Sequence, residues 1–278
     1  MGAFPMGEPV IAQSSTLPLA RARRHADVRR TVQVVMHLTA REFRVRYQSA
    51  VLGWVWALAP AVVRFVVLGA VFSVLLPHPG TNYLSELAVG VLGWGWFAAG
   101  VSSATTSAVD RSDLLAQPAL PRQAVPVVSV LTDAFDYLAG VPVLLLIVLI
   151  DTGHLPATAV LFPFLLLLQG CLILGIGMTA SVLDVRWRDS RLAVALVLSV
   201  GIYVTPVFYT GQLVGERLRV LLTLNPMGAM LEAQRDVLVR ASAPSPLFLA
   251  ALTAVCVGVL AAGWALHRRF SGTFLDYL

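Results

Sequence analysis

The chain has 278 residues, of which 58% are hydrophobic and 13% are charged, and its mean hydropathy is +0.79. Soluble domains average roughly 45–50% apolar and about 25% charged residues, so the composition disfavours a soluble enzyme, a disordered protein and a secreted disulfide scaffold, and it fits a chain that lies in a lipid bilayer. The formal net charge is +5 and all 20 basic residues are arginines, which excludes a phosphate-binding loop that ends in Gly-Lys and any lysine-based catalysis.

The chain begins with a polar, arginine-rich segment. Residues 1–27 are predicted to be a cytoplasmic tail, because no short apolar run of a cleaved signal peptide follows their arginines. Residues 28–48 then carry six residues that can share one helical face, with most arginines elsewhere: Val32, Val35, Met36, Thr39, Phe43 and Tyr47. This pattern predicts an amphipathic interface helix along the cytoplasmic membrane surface. The helix is either part of a coupling interface or a plain membrane anchor.

Six apolar stretches follow, and each is long enough to cross a bilayer as a helix, which takes about 20 residues. The predicted fold class is therefore an all-α membrane protein, with a six-span domain over residues 49–270 and a cytoplasmic tail over residues 271–278. The predicted spans run at about residues 51–76, 84–107, 125–150, 157–182, 192–211 and 246–266.

The arginines predict the orientation of these spans. Six spans place both termini on the same side of the membrane, and fifteen of the 20 arginines lie on that side, against four on the other. Basic residues concentrate in cytoplasmic loops. Both termini are therefore predicted to be cytoplasmic.

The loop between the fifth and sixth predicted spans, residues 212–245, is too polar to cross the bilayer. Its pattern predicts two short amphipathic helices on the outer side, separated by the break at Asn225 and Pro226. Glu232 and Arg235 are three residues apart and are expected to pair on one helical face. The segment is either a gate at the mouth of a pore or a static cap.

Five segments, in order, resemble type-2 ABC transporter permeases of the polysaccharide-export class, which export O-antigen, teichoic acid, cell-wall galactan or related lipid-linked glycans. The resemblance covers about residues 30–270. The segments are REFRVRYQSAVLGWVWALAP (41–60), QPALPRQAVPVVSV (117–130), DVRWRD (184–189), TPVFY (205–209) and LNPMGAMLEAQRDVL (224–238).

The resemblance implies a homodimer of permeases in the bacterial inner membrane, docked on two nucleotide-binding ATPase subunits. The transported substrate would be a polysaccharide linked to a polyprenyl diphosphate. ATP and Mg would be bound by the ATPase subunits, and this chain would hold no cofactor, no metal and no catalytic residue. Nucleic acid is not an expected partner.

Aromatic side chains are the candidate lining of a sugar channel, because rings can stack on the apolar CH faces of sugars while a polymer slides past. Those near the span ends are equally typical of membrane-interface anchors, and those in mid-span of helix packing. The candidates are Trp54, Trp56, Trp94, Trp96, Phe97, Tyr203, Phe208 and Tyr209.

Arginines in the cytoplasmic segments have two candidate roles. Arg41, Arg44 and Arg46 lie where the interface helix meets the first span, so they are expected to bind a diphosphate or lipid headgroup, or else to be ordinary positive-inside charges. By resemblance, the loop before the third span is a coupling helix for the ATPase, and its alternative is a solvated turn. The ATPase-coupling candidates are Asp110, Arg111, Asp113, Gln117, Arg122, Arg186 and Arg188.

Arg64 lies near the middle of the first predicted span, where a charge is costly without a partner or water. Counting residues from the cytoplasmic side makes Asp136 the best match in depth, with Asp133 second. Arg64 is expected either to form a buried pair with one of them or to line the sugar channel.

Three other functions compete with polysaccharide export. One is an ABC permease that exports a small drug or a lipid. Another is a membrane enzyme that acts on polyprenyl-phosphate substrates, which the scatter of the loop acids disfavours, since such enzymes gather carboxylates or histidines. The third, an ion-coupled transporter, is disfavoured because the two halves of the chain show no repeat.

Overall fold

The computed structural model describes residues 31–46, 82–112, 121–209 and 225–274, together with six positions between 59 and 70. Within these ranges the chain is entirely helical, without a strand, which agrees with the predicted all-α class. The predicted first span at 51–76 and the first of the two predicted outer helices lie almost wholly outside the described residues. The described helices are α1 (31–46), α2 (Tyr83–Asp110), α3 (Ala124–Thr152), α4 (Phe162–Arg186), α5 (Ser190–Val204), α6 (Pro226–Leu238) and α7 (Pro246–Phe270).

Four of these helices are long and apolar enough to cross a membrane. They are α2, α3, α7 and α4 together with the 3-10 turn Ala157–Leu161 that precedes it. α5 is equally apolar but has only 15 residues. Because long apolar helices satisfy their own backbone hydrogen bonds, they are the expected structure of such stretches in lipid.

The core is formed where α2 packs against α3 and α4, and where α4 packs against α7. Trp96 of α2 stacks on Tyr137 of α3 with ring centroids 4.9 Å apart. The α4–α7 contact is close because it is made by glycine: a Cβ added to Gly263 would lie 2.1 Å from the carbonyl oxygen of Gly175. Small residues at helix contacts are the usual way in which spanning helices approach each other closely.

α6, the second helix predicted between the fifth and sixth spans, packs against α2 and α4. The side chain of Asn225 caps its first turn, accepting hydrogen bonds from the backbone N–H groups of Met227 (3.0 Å) and Gly228 (3.2 Å). Leu231 and Gln234 pack on Gly93, ten residues into α2. Its 13 residues span about 20 Å at 1.5 Å per residue. α6 therefore packs beside α2 and runs antiparallel to it.

α1 also differs from the sequence-based expectation, because it packs along α3. Val35 lies in a small core with Val125 and Val128, and Phe43 contacts Phe135 with ring centroids 6.0 Å apart. Val32, which was expected on the same apolar face as Val35, is 55% exposed. The face of α1 that contacts the other helices carries polar residues, Glu42 and Arg46, as well as apolar ones. The pattern of apolar residues alone therefore did not predict which face is buried.

Candidate functional site

A charged cluster joins the end of α1 to α2 and α3. Arg46 donates a hydrogen bond from Nη1 to Oδ1 of Asp133 (3.1 Å) and also contacts Oδ2 of Asp136. Ser103 of α2 donates to the other oxygen of Asp133. Burial lowers the pKa of Arg46, but attraction by the two carboxylates raises it by more, so the pKa lies above its ordinary value. Arg46, predicted to bind a headgroup, is thus bonded to two carboxylates of its own chain while its side chain stays 39% exposed.

A second ionic contact lies one helical turn away on α1. Glu42 receives a two-pronged contact from Arg111 at the end of α2, in which Nε lies 2.8 Å from Oε1 and Nη2 lies 2.8 Å from Oε2. Arg111 also donates to the Ser129 hydroxyl, and Thr132 donates to Glu42 (3.3 Å). Paired N–H donors on one carboxylate fix both position and orientation. Arg111, an ATPase-coupling candidate, is therefore bonded within this chain.

The two remaining headgroup candidates lie on the surface. Arg41 and Arg44 are both exposed, and Arg44 donates from Nε to the carbonyl of Ala40 in its own helix (3.3 Å). Arg41 lines a cavity of about 440 Å³ beside Glu42, Arg46, Asp110 and Arg111. Of the three arginines predicted to bind a headgroup, Arg41 and Arg46 line this cavity. Arg46 is bonded to aspartates, whereas within the described part of the chain no carboxylate is bonded to Arg41.

The other coupling candidates are spread over several helix ends on the side predicted to be cytoplasmic. Arg122 donates to the backbone carbonyl of Ser271, just after α7. Arg186 stacks over the ring of Trp187 at 5.4 Å, and Arg188 and Asp110 are exposed. Asp113 and Gln117 lie outside the described residues. Arg186 and Arg188 are therefore the predicted cations that remain open to a partner.

The mid-span aromatics occupy the interior of the protein. Trp96 is 7% exposed and covered by Tyr137, so neither of its faces is open to a sugar. Trp94 and Phe97 are 5.2 Å apart and line an apolar cavity of about 400 Å³ between α2, α4, α5 and the start of α6. Within one protomer, the two rings therefore face mainly hydrocarbon groups.

Of the candidate aromatics near the span ends, the structure describes the three at the end of α5 and just after it, namely Tyr203, Phe208 and Tyr209. Tyr203 is 70% exposed, and its ring lies 6.1 Å from that of Phe208. Tyr209 donates from its hydroxyl to the carbonyl of Val204 (3.1 Å) and so folds back on α5. Trp54 and Trp56 lie outside the described residues. Tyr203 is thus an aromatic ring that α5 presents to its surroundings.

Arg235 of α6 is the most deeply buried arginine among the described residues. Only 1% of its side chain is exposed, and it forms an ion pair with Glu232 at 2.7 Å. Its guanidinium also donates to the carbonyls of Glu86 (3.1 Å) and Val207 (2.9 Å), and more weakly to that of Tyr209 (3.3 Å). One side chain therefore connects α6 to α2 and to the segment that follows α5.

Arg240 extends this outer network at the end of α6. It contacts the carboxylates of Glu86 (2.8 Å), Glu232 (2.9 Å) and Asp236 (3.0 Å). Burial raises the pKa of Glu232, but the charges and hydrogen bonds of Arg235 and Arg240 lower it by more, so the carboxyl has a pKa below its ordinary value. With Asn225, which donates to the hydroxyl of Thr205 (2.8 Å), these contacts fasten the predicted gate segment to the spans.

The predicted partner of Asp133 and Asp136 was Arg64, which lies outside the described residues. In the structure both aspartates contact Arg46. The sequence did not predict this contact, because α1 was expected at the membrane surface and only residues of the spans were matched by their depth in the membrane. The sequence does contain a pattern that fits this contact. Glu42 and Arg46 are four residues apart on α1, and Asp133 and Asp136 are three residues apart on α3.

Two polar contacts in the interior had no sequence signal of their own. Gln169 donates to the carbonyl of Gly93 (2.8 Å) and accepts from Gln234 (2.8 Å), which joins α4, α2 and α6. Asp151, at the end of α3, accepts from both the backbone N–H (3.0 Å) and the hydroxyl (2.7 Å) of Ser85. Both contacts join residues that are far apart in the sequence, so they can be identified only once it is known which helices pack together.

Comparison with known proteins gives a single family. Residues 33–239 match the ABC-2 type transporter family, and this range includes most of α1 and all of α2 to α6. An O-antigen export system permease protein RfbA of Myxococcus xanthus is 28% identical over 240 residues, which are 85% of this chain and 91% of that protein. A protein of the same name from Klebsiella pneumoniae is 24% identical over 201 residues, which are 72% and 77% of the two chains. The chain therefore belongs to the ABC-2 type transporter family, as a multi-pass membrane transport subunit and not an enzyme.

Proposed function

We propose that the chain is the membrane subunit of an ATP-driven exporter that moves a polyprenyl-diphosphate-linked polysaccharide of the O-antigen type across the bacterial inner membrane. The observation that carries this proposal is the family match together with the relatives, which are named as O-antigen export permeases and align over most of their length. Six spans with both termini in the cytoplasm complete the proposed topology, and the arginine distribution supports it.

The proposed assembly contains two copies of this chain. α5 supports a second copy, because none of its residues is buried within one protomer. Leu196, Val197 and Tyr203 are 64–70% exposed on it, and such a strip faces either lipid or a partner helix. Cross-linking of a single cysteine introduced at Val200 is expected to give a covalent dimer, and a cysteine at Ile150, which is 75% exposed on α3, is the matched control.

The proposed motor is a pair of nucleotide-binding subunits that hold ATP and Mg. The exposed Arg186 and Arg188, and the loop that connects α2 to α3, supply a charged cytoplasmic surface for them. Reversal of charge at Arg188 to glutamate is expected to weaken co-purification of the ATPase. Undiminished co-purification would remove Arg188 from the docking surface.

The function is tested by deleting the gene in its host. Loss of the surface polysaccharide, with accumulation of the lipid-linked glycan in the cytoplasmic leaflet, is expected, and the wild-type chain should restore export. Cells that keep a normal surface polysaccharide after deletion would contradict the proposal.

A second candidate function is export of a small apolar molecule. The cavity of about 400 Å³ beside Trp94 favours it, because ligand pockets for drug-sized molecules begin at roughly 300 Å³ and are mostly apolar. The same deletion strain separates the two functions. Hypersensitivity to hydrophobic drugs with an intact surface glycan would favour the small molecule.

A further inference from the structure

The strip of α1 that faces α3 is charged over its second half. From its start, this face carries Val35, Thr39, Glu42 and Arg46, a spacing that keeps the four side chains on one side of a helix. Val35 packs on Val125 and Val128 near the start of α3. Arg46 reaches Asp133 and Asp136, so α1 and α3 run side by side in the same direction.

The contacts of this strip fall on both helices of the α2–α3 hairpin. Arg46 contacts α3, and Ser103 of α2 donates to the same aspartate, so that Asp133 is bonded from two neighbouring helices at once. Glu42 in turn contacts Arg111 at the last turn of α2 and Thr132 of α3. Two ionic contacts, one turn apart, therefore hold α1 against the hairpin.

The two ionic contacts lie between two segments of the chain that are important for the proposed transport, the α2–α3 loop and the first predicted span. The loop that joins α2 to α3 follows Arg111 directly, and it is the segment proposed to meet the ATPase. At the other end, the first predicted span begins about five residues after Arg46. The two contacts therefore link the segment just before the first predicted span to the end of the helix that leads into the proposed coupling loop.

We propose that Arg46 is a positioning residue of the transport cycle. Its contact with Asp133 and Asp136, together with the Glu42–Arg111 pair, makes α1 and the α2–α3 hairpin one rigid unit. A displacement of the hairpin loop by the ATPase then moves α1, and with it the entrance of the first span. This inference rests on the proposed function for its transport step, while the contact itself is a property of the chain alone.

The contact is tested first without transport. In a chain whose Cys171 and Cys256 are replaced by alanine, cysteines at Phe43 and Phe135 are joined with a short bis-maleimide. Arg46→Ala is expected to slow cross-linking about fivefold or more, because the ionic contact that holds α1 is lost. The exchange Arg46→Glu with Asp136→Arg keeps the same charges and is expected to restore the rate to within about twofold.

The matched control is His37→Ala, on the exposed side of the same helix. It is expected to cross-link at the wild-type rate. A rate in Arg46→Ala equal to that of the control would overturn the proposed contact, and so would slow cross-linking in the charge exchange as well as in the single variant.

The second arm uses the complete complex in proteoliposomes. Arg46→Ala is expected to keep its ATPase bound and hydrolysing, while the ratio of glycan exported to ATP hydrolysed falls about tenfold, and Arg46→Lys should recover part of that ratio. An unchanged ratio would refute the positioning role. A wild-type complex that exports no glycan would instead refute the proposed function, and the cross-linking result would still stand.

Discussion

Arg235 shows how much of the outer structure depends on one side chain. Its guanidinium reaches three parts of the chain: Glu86 on α2, Val207 after α5, and Glu232 on α6. Arginine suits this position because its five N–H donors form a rigid planar fork. Lysine would keep the charge but reach fewer of these acceptors.

Arg235→Ala is expected to destabilise the protein by about 3–5 kcal/mol, because Glu232 and several carbonyls lose their buried donor. The apparent Tm in detergent measures this effect. Arg188→Ala, at an exposed arginine, is the control and should change stability by less than about 0.5 kcal/mol. Equal shifts in the two variants would show that the Arg235 contacts contribute little.

The outer network also predicts a dependence on pH. The pKa of Glu232 is lower in the folded protein than in the unfolded chain, so its contribution to stability is complete above the ordinary glutamate value of about 4.3 and is lost as the pH falls through the folded pKa. The apparent Tm of the wild type should therefore fall more steeply between pH 6 and pH 3 than that of Glu232→Gln. Parallel curves would contradict this assignment.

At the scale of single helices, the start of α2 is stabilised from another helix. Its own N-cap residue, Asn82, has φ 67° and makes no side-chain capping bond. The carboxylate of Asp151, from the last turn of α3, takes that role at Ser85. A negative charge at a helix N-terminus also interacts favourably with the helix dipole.

Asp151→Ala is expected to cost about 1 kcal/mol of stability, the usual effect of losing an N-cap. The control is Asp189→Ala, because Asp189 is the N-cap residue of α5 but makes no side-chain capping bond. Its loss should be nearly neutral in the same thermal measurement. A neutral Asp151→Ala would mean that water replaces the cap.

The sequence predicted the long helices well and the short ones poorly. The spans predicted at 84–107, 125–150, 157–182 and 246–266 agree with the observed ends to within four residues, because about 20 apolar residues in lipid have to be helical. The short segments α1 and α6 were predicted as helices, but which helices they pack against was not predicted. Their positions depend on contacts such as Arg46 with Asp133 and Arg235 with Val207, which only the tertiary structure brings together.

The same limit applies to the candidate site. Aromatic residues in mid-span were natural candidates for stacking on sugars, but Trp96 stacks on Tyr137 instead, because pattern alone does not distinguish a channel from a helix contact. Glu232 and Arg235 were expected to pair from their spacing, and the structure pairs them at 2.7 Å. Local spacing was informative where both partners share a helix.

At the scale of the whole molecule, the cavity beside Trp94 separates α5 from the rest of the core. Ala193 of α5 lines it. Ala193→Leu is expected to raise stability by about 1–2 kcal/mol, because filling a cavity restores lost packing contacts. The measurement is the apparent Tm, with Ala195→Leu as control, because Ala195 is exposed like Ala193 but does not line the cavity. Equal shifts would show that lipid already fills the space.

The polar contacts that α5 makes with other parts of the chain lie at its two ends. Arg191 binds Asp184 near its beginning (3.0 Å and 3.2 Å), and Asn225 binds Thr205 at its end (2.8 Å). Between these points, among the residues described, its side chains make only apolar contacts with the core or hydrogen bonds within α5 itself. Between its two polar ends, α5 is held to the core by apolar packing, in which Val194, Leu198 and Ile202 take part. Its middle can therefore bow towards or away from Trp94 without breaking a polar bond.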